Sequence, residues 1–150
     1  MFDTESFQKG FFELQDASSQ LVGYFAEVSP GMQVIDTCAG AGGKSLHLAA
    51  LMENKGQLTA LDIYSHKLHE LKRRARRAGA HNITTRQISS NKVIKKLQNH
   101  ADRVLIDAPC TGLGVLRRNP DAKWKIDADF LERVKQTQQQ ILSAYSSMVK

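Results

Sequence analysis

Several features are scarce in this sequence, and their scarcity excludes whole classes of protein. Two cysteines among 150 residues are too few for a small disulfide-stapled domain. No apolar run approaches the roughly 20 residues of a membrane span, and the first residues lack the basic patch and apolar core of a signal peptide. We therefore expect no membrane partner. The five histidines show no metal-ligand spacing, so no metal is expected either. These absences predict a cytoplasmic protein with free thiols.

The composition that remains is that of one globular domain, with an unusual distribution of charge. Hydrophobic residues make up 41% and charged residues 24%, close to the average for soluble domains. Residues 67–96 hold ten lysines and arginines against one acid, a local balance of +9, although the whole chain carries only +6. So concentrated a charge suggests a surface for a polyanion, with RNA or DNA as first candidates. A solvated helix face is the alternative.

The pattern along the chain is an alternation of strands and helices. Residues 1–33 form a leading helical segment, and residues 34–150 then alternate short apolar runs with helical periodicity. Such alternation predicts an α/β fold with a mainly parallel, doubly wound sheet in the order 3-2-1-4 and flanking helices. Strands are predicted at 34–36, 57–61, 82–87 and 103–106, with helices at 17–28, 44–52 and 65–78 and a long last helix capped by Asp127. Ligands bind such sheets at the carboxyl ends of the strands.

A glycine-rich loop, residues 38–44, separates the first strand from its helix. It does not match G-x-G-x-x-G, because Ser45 stands where the last glycine would be, and it does not match a P-loop. Asp62 lies at the end of the second strand, where a carboxylate can accept ribose hydroxyls. A nucleoside cofactor without a pyrophosphate is the better fit. A dinucleotide, or a tight turn with Asp62 as a helix cap, is the alternative.

Two segments carry a resemblance to a known family. Residues 36–44 read DTCAGAGGK, and residues 107–121 read DAPCTGLGVLRRNPD, followed by Lys123 and Trp124. Together with residues 10–21, they resemble the Nop/Sun family of S-adenosylmethionine-dependent RNA (cytosine-5) methyltransferases. The resemblance covers nearly the whole chain. It implies a partial Rossmann-like class I methyltransferase fold, S-adenosylmethionine as the cofactor and RNA, in particular ribosomal RNA, as the partner.

The resemblance also assigns residues to the site. Asp107 would lie beside the methyl group and the target base. Apart from the resemblance, Lys44 could neutralise either the cofactor carboxylate or Asp107, and a solvated lysine in the first turn of its helix is the alternative. Ser89 stands where the family has an acid near the end of the third strand, and Ala41 stands where it commonly has proline. The cofactor residues implied are Cys38, Ala39, Gly40, Ala41, Gly42, Gly43, Lys44, Asp62, Ser89 and Asp107.

The chemistry of the family needs a thiolate that this sequence does not place where the family has it. Cytosine C5 is a poor nucleophile, so a thiolate must first add to C6. The family is described as using a cysteine in a Thr-Cys-Ser segment for this attack, with the cysteine at the position of Cys110 assisting product release. The sequence contains no Thr-Cys-Ser. We therefore expect residues 1–150 to be an incomplete methyltransferase domain. The alternative function is cofactor and RNA binding without turnover.

Basic residues in two places are candidates for contact with RNA phosphates. They are Arg73, Arg74 and Arg77 in the basic stretch, and Arg117 and Arg118 after the fourth strand. Trp124 could stack on a base or anchor the packing of a loop. Basic charge provides affinity without sequence preference, so the sequence does not identify which RNA is bound.

Overall fold

The computed structural model describes residues 2–150, apart from the side chain of Lys125. Its centre is a four-stranded parallel sheet in the order β3-β2-β1-β4. The strands are β1 (Gln33–Asp36), β2 (Gln57–Asp62), β3 (Ile83–Gln87) and β4 (Arg103–Leu105). The order and the parallel direction confirm the fold predicted from the sequence.

Helices lie on both faces of this sheet. The α-helices are α1 (Glu5–Gln8), α2 (Ala17–Phe25), α3 (Gly43–Leu51), α4 (Ser65–Arg77), α5 (Asn91–Lys95) and α6 (Ala128–Tyr145). Short 3-10 helices occupy Leu113–Val115, Pro120–Lys125 and Ser146–Met148. Asp127 caps α6, as expected, by accepting a hydrogen bond from the backbone N–H of Phe130 at 2.6 Å. No helix among residues 2–150 combines the length and the apolarity needed to cross a bilayer.

The core has two layers because neighbouring residues of a strand point to opposite faces of the sheet. Val34 and Leu58 pack with α3 and α4 on one face, where Leu48 and Leu71 are fully buried. Ile35 and Leu61 face the other side and pack with residues of α5 and the end of α6. Each layer is therefore built from the apolar runs that identified the strands.

The leading segment differs from the sequence prediction in two respects. It contains the additional short helix α1, and α2 ends at Phe25 rather than Val28. The apolar side of α2 is also largely in solvent, with Phe25 83% exposed and Leu21 55% exposed. α2 contacts α3 instead through Gly23, where an added Cβ would lie 2.6 Å from Nδ1 of His47.

Strand β4 lies at the edge of the sheet. Among residues 2–150 it pairs only with β1, and its three residues are half-buried rather than buried as the sequence suggested. The end of the chain approaches this edge: Val149 forms an isolated parallel bridge with Ala101, and the Lys150 N–H donates to the carbonyl of Ala101 at 2.9 Å.

Candidate cofactor-binding site

The carboxyl ends of β1, β2 and β4 meet at a cleft, as the sheet order requires. One part of the cleft is bounded by apolar and polar side chains: Thr37, Cys38, Gly40, Asp62, Ile63, Tyr64, Lys67, Asp107, Pro109, Ile141 and Tyr145. A second part is lined by Ser19, Asp36, Cys38, Ala39, Gly40, Gly43, Lys44 and Asp107. Cys38, Gly40 and Asp107 line both parts, so the two parts adjoin at the glycine loop, and we call them together the groove.

The groove includes side chains that the sequence did not single out. Ile141 and Tyr145 of α6 both line the groove together with Asp62. Ser19 reaches the groove from α2. The helical periodicity of the apolar residues identifies which face of α6 packs against the protein. It does not identify which end of that face lines a ligand groove.

Asp62 holds the backbone at the floor of the groove. One carboxylate oxygen, Oδ2, accepts a hydrogen bond from the Gly40 N–H at 2.8 Å, and Oδ1 accepts one from the Tyr64 N–H at 2.8 Å. The side chain is 7% exposed and lines the groove. Each carboxylate oxygen has a second lone pair, so Asp62 can accept further hydrogen bonds from a ligand while it holds the loop.

The glycine loop is shaped by close approach to α4. Gly42 has a φ of +89°, and an added Cβ would lie 2.5 Å from Cγ of Leu71. Gly40 has a φ of +55°, and an added Cβ there would meet no atom within 4 Å. The left-handed φ values favour glycine at both positions. Only at Gly42 does a neighbouring side chain also fill the space.

Lys44 and Asp107 form an ion pair across the groove. Nζ of Lys44 lies 2.7 Å from Oδ2 of Asp107, with Lys44 mostly buried and Asp107 half-exposed. Lys44 is therefore not a fully solvated side chain, and it contacts Asp107, one of the partners that the sequence left open. The pair joins the first turn of α3 to the segment after β4, and it places a carboxylate at the mouth of the groove.

Asp36 is the buried acid of the site. Its Oδ2 accepts a hydrogen bond from Ser45 Oγ at 2.7 Å, and its Oδ1 is buried with no partner among the described residues. Burial raises the pKa of the Asp36 carboxyl to about 6; the Ser45 hydrogen bond acts in the opposite direction, and nearby Asp107 raises it further. In the sequence Asp36 was the end of the first strand and the first residue of the DTCAGAGGK motif, and no role in the site was assigned to it.

The two thiols differ in environment. Cys38 is half-buried in the glycine loop, and burial raises the pKa of its thiol to about 11. A thiol with so high a pKa stays protonated at neutral pH. Cys110 is exposed and follows Pro109, which lines the groove, but Cys110 itself is not among the described lining residues.

Two of the predicted RNA-binding arginines point into the protein. Arg74 donates from Nη1 to the carbonyl of Ala41 at 2.8 Å and from Nη2 to Oε2 of Glu13 at 3.0 Å. Arg77 pairs with the other oxygen of Glu13, and its guanidinium lies 3.8 Å from the centroid of the Phe7 ring. The expectation that Arg73, Arg74 and Arg77 share one solvent-facing surface is therefore corrected. Of these three arginines only Arg73 is exposed, because Arg74 and Arg77 form ion pairs with the largely buried Glu13.

The remaining candidates lie on the surface. Ser89 is exposed after β3 and is not among the described lining residues of the groove. Arg117 is exposed, and Arg118 pairs with Asp16, the N-cap of α2. Hydrogen bonds from Ser18 and Arg118 lower the pKa of Asp16 to about 2. Trp124 is 79% exposed and so does not anchor a loop by packing.

Comparison with known proteins identifies the family. The family model described as 16S rRNA methyltransferase RsmB/F matches residues 24–150. The chain belongs to this family. A probable ribosomal RNA small subunit methyltransferase B of Bacillus subtilis is 40% identical over 148 residues, which are 98% of this chain and 33% of that protein. The RsmB/F domain here thus spans about a third of the length of the curated relatives it matches.

Relatives of known structure share the fold. NSun6 from Pyrococcus horikoshii with SFG has a TM-score of 0.89 and 29% identity, covering 100% of this chain and 38% of that one. A tRNA (cytosine(72)-C(5))-methyltransferase of the same organism is 35% identical over 113 residues, 75% of this chain and 29% of that protein. The fold is that of class I S-adenosylmethionine-dependent methyltransferases.

The residues present fit S-adenosylmethionine. The Asp62 carboxylate could accept hydrogen bonds from the hydroxyls of an adenosine ribose. Gly40 has no Cβ, and no atom lies within 4 Å of the Cβ position, so a ligand has space against the backbone there. Helix α3 begins at Gly43, and its N-cap residue, Gly42, has no side chain to bond the first turn, so a carboxylate can approach that end. Among residues 2–150 no group of three or more His, Cys, Asp or Glu could hold a metal ion.

Proposed function

We propose that this chain is the cofactor-binding part of an S-adenosylmethionine-dependent methyltransferase that acts on cytosine C5 of RNA. One observation carries the proposal: an RsmB/F-family chain joins Asp62, the glycine loop and the Lys44–Asp107 pair along one groove. A groove lined on the other side by Ile141 and Tyr145 suits a ligand with both apolar and charged parts.

The roles of the residues follow from their places in the groove. Bound S-adenosylmethionine supplies an electrophilic methyl group. Asp62 holds the ribose hydroxyls, and residues 38–44 bind the methionine end through backbone groups and the start of α3. Asp107, half-exposed at the mouth, contacts the target base, while Lys44 holds the Asp107 carboxylate in position.

RNA binding is part of the proposal and is supported by charge that remains exposed. Lys72, Arg73 and Arg76 lie on the outer side of α4, and Arg117 lies on the surface after β4. We infer that these residues, together with Arg118 when it is released from Asp16, contact phosphates. The exposed Trp124 is placed to stack on a base.

Ribosomal RNA is the substrate we infer in preference to tRNA. The matching family model is named for 16S rRNA, and the Bacillus subtilis relative is named for the small ribosomal subunit. A cytoplasmic location, predicted from the sequence, is part of the same proposal because such relatives are named as modifiers of ribosomal RNA.

Cofactor and RNA binding without turnover is the second candidate function. It is favoured by the state of the thiols: the Cys38 thiol is held protonated by its raised pKa, and Cys110 does not line the groove. Among residues 2–150, then, no thiol is both activated and aimed into the groove. In this reading Cys110 and Asp107 serve chemistry that needs a further cysteine.

Calorimetry with purified chain tests the cofactor. We expect S-adenosylmethionine and its demethylated product to bind and NAD not to compete. We expect Asp62→Ala to weaken binding by about 1 to 3 kcal/mol, because it removes a charge-assisted hydrogen bond. Asp62→Asn, which keeps one oxygen acceptor for the loop, should retain the fold and still bind more weakly. Tighter binding of NAD would refute the proposal, and equal affinity of all three proteins would remove Asp62 from the site.

A further inference from the structure

We propose that Glu13 and Arg74 are positioning residues for the cofactor loop, so that docking of the N-terminal segment, residues 2–16, sets the affinity for the cofactor. The inference rests on the cofactor site proposed above. Neither residue lines the groove, so both act through the backbone of the loop.

Arg74 is the link between the N-terminal segment and the loop. Its Nη1 donates to the Ala41 carbonyl at 2.8 Å, and its Nη2 donates to Glu13 Oε2 at 3.0 Å. The planar guanidinium has a fixed spacing between these nitrogens, so fixing one partner restricts the position of the other. The Arg74 and Glu13 side chains are 19% and 20% exposed, which limits screening of the pair by water.

The loop is held at three points, and Arg74 provides the one that also contacts the N-terminal segment. Gly40 is fixed through its N–H by Asp62 of β2, and Gly42 packs against Leu71 of α4. Between them, only the Ala41 carbonyl is described as bonded to a side chain, that of Arg74. The Ala41–Gly42 peptide has one further described hydrogen bond, from the Gly42 N–H to the Ala39 carbonyl at 2.9 Å. Loss of the Arg74 bond therefore removes one of two hydrogen bonds that hold this peptide, and it loosens the centre of the loop.

Arg77 provides an internal comparison. It pairs with the same Glu13, it is similarly buried at 23% exposed, and it lies one turn further along α4. Its other contact is the Phe7 ring in the N-terminal segment rather than the glycine loop. Removing Arg77 should therefore loosen the N-terminal segment about as much as removing Arg74, without releasing Ala41.

The experiment compares Arg74→Gln with Arg77→Gln in the 150-residue chain. Affinity for S-adenosylhomocysteine is measured by calorimetry, stability by urea unfolding, and mobility of the loop by hydrogen exchange at the amides of Gly40 and Gly42. We expect similar losses of stability, but an affinity about tenfold lower only for Arg74→Gln, as expected for loss of one charge-assisted hydrogen bond. Exchange at the two amides should quicken only in Arg74→Gln.

Two results would overturn the inference: Arg74→Gln with wild-type affinity and exchange, or equal weakening by the two variants. If Arg74→Gln does not fold, Glu13→Gln takes its place, because it keeps the shape of the side chain and removes the charge that holds Arg74. Faster exchange at Gly40 and Gly42 in Glu13→Gln than in Arg77→Gln supports the inference, and equal exchange overturns it. If the wild-type chain binds no cofactor, the proposed function fails, and hydrogen exchange still decides whether Arg74 orders the loop.

Discussion

Asp36 and Asp62 end neighbouring strands and are both buried, yet their carboxylates are satisfied differently. Both oxygens of Asp62 accept backbone N–H bonds, whereas Asp36 has one oxygen bonded to Ser45 and the other without a described partner. An unpaired buried oxygen makes the ionised form of Asp36 costly. The two aspartates both end strands in the sequence, but their carboxylates have different hydrogen-bond partners in the structure.

The first prediction concerns the pH dependence of stability. The pKa of Asp36 rises from its ordinary 3.8 to about 6 in the folded chain, so the native state keeps a proton that the unfolded state releases. The free energy of unfolding should therefore fall as the pH rises from about 3.8 to about 6. The fall should approach about 3 kcal/mol, at 1.36 kcal/mol for each pKa unit. Urea unfolding of Asp36→Asn beside wild type isolates this contribution.

The amide of Asp36→Asn cannot ionise and can still accept from Ser45. We expect the variant to gain stability over wild type as the pH is raised to 7, and the difference to be constant below pH about 3.8. Asp16, whose pKa is lowered to about 2 by Ser18 and Arg118, contributes in the opposite sense but equally to both proteins. A difference between the two proteins that is the same from pH 3.5 to pH 7 would contradict the prediction.

The site residues that could be predicted are those fixed by local sequence. Asp62 and the glycine loop follow from strand ends and residue spacing, and the structure brings both to the groove. Arg74 and Arg77 could not be separated from Arg73, because their inward position depends on Glu13, more than 60 residues away. Counting charge along a helix does not reveal which charges a distant acid will neutralise.

At the level of elements, the glycine loop packs closely against α4 at Gly42. We predict that Gly42→Ala lowers the free energy of unfolding by about 1 to 3 kcal/mol, through the left-handed φ and the clash with Leu71. Gly43→Ala is the matched control, because an added Cβ there meets nothing within 4 Å. It should stay within about 0.5 kcal/mol of wild type in urea unfolding. Equal free energies of unfolding for the two variants would contradict the prediction and show that the loop or Leu71 shifts to accommodate the added methyl group.

Helix α4 has an outer basic side, Lys72, Arg73 and Arg76, and an inner one, Arg74 and Arg77, which contacts Glu13. We predict that only the outer side binds RNA. Charge reversal of Lys72, Arg73 and Arg76 to Glu should make the slope of log affinity against log salt shallower by about 2, at about 0.7 per phosphate on a single strand. Reversal of Lys9, Lys55 and Lys135, which lie in exposed surface pairs, changes the net charge equally. Filter binding over a range of salt distinguishes the two sets. The same slope in both would leave α4 as solvated surface.

The elements themselves were largely predictable, for a physical reason. Strands β1 and β2 are largely buried and appear in the sequence as short apolar runs, and each ends at an aspartate at the carboxyl edge of the sheet. Helix α2 shows where this reasoning fails, since its apolar residues Leu21 and Phe25 lie in solvent. Amphipathic periodicity indicates a helix but does not say whether another element covers its apolar side.

Across the whole molecule, the groove is assembled from segments distant in sequence. Ion pairs join these segments: Lys44 to Asp107 across the groove, Glu13 to α4, and Asp16 to Arg118 after β4. The leading segment is thereby tied both to the cofactor loop and to the segment after β4 that carries Cys110.

The last prediction is that the 150-residue chain binds S-adenosylmethionine but does not methylate cytosine. Addition to C6 requires a thiolate. Cys38 is kept protonated by a pKa of about 11, and Cys110 is exposed outside the described lining of the groove. Incubation with tritiated S-adenosylmethionine and unmodified ribosomal RNA should therefore give no incorporation. A version extended through a Thr-Cys-Ser segment serves as the positive control. Incorporation by the 150-residue chain that disappears in Cys110→Ser would refute this prediction and make Cys110 the nucleophile. Incorporation that persists in Cys110→Ser would also refute it, and it would show that methylation needs neither the Cys110 thiol nor the Thr-Cys-Ser segment.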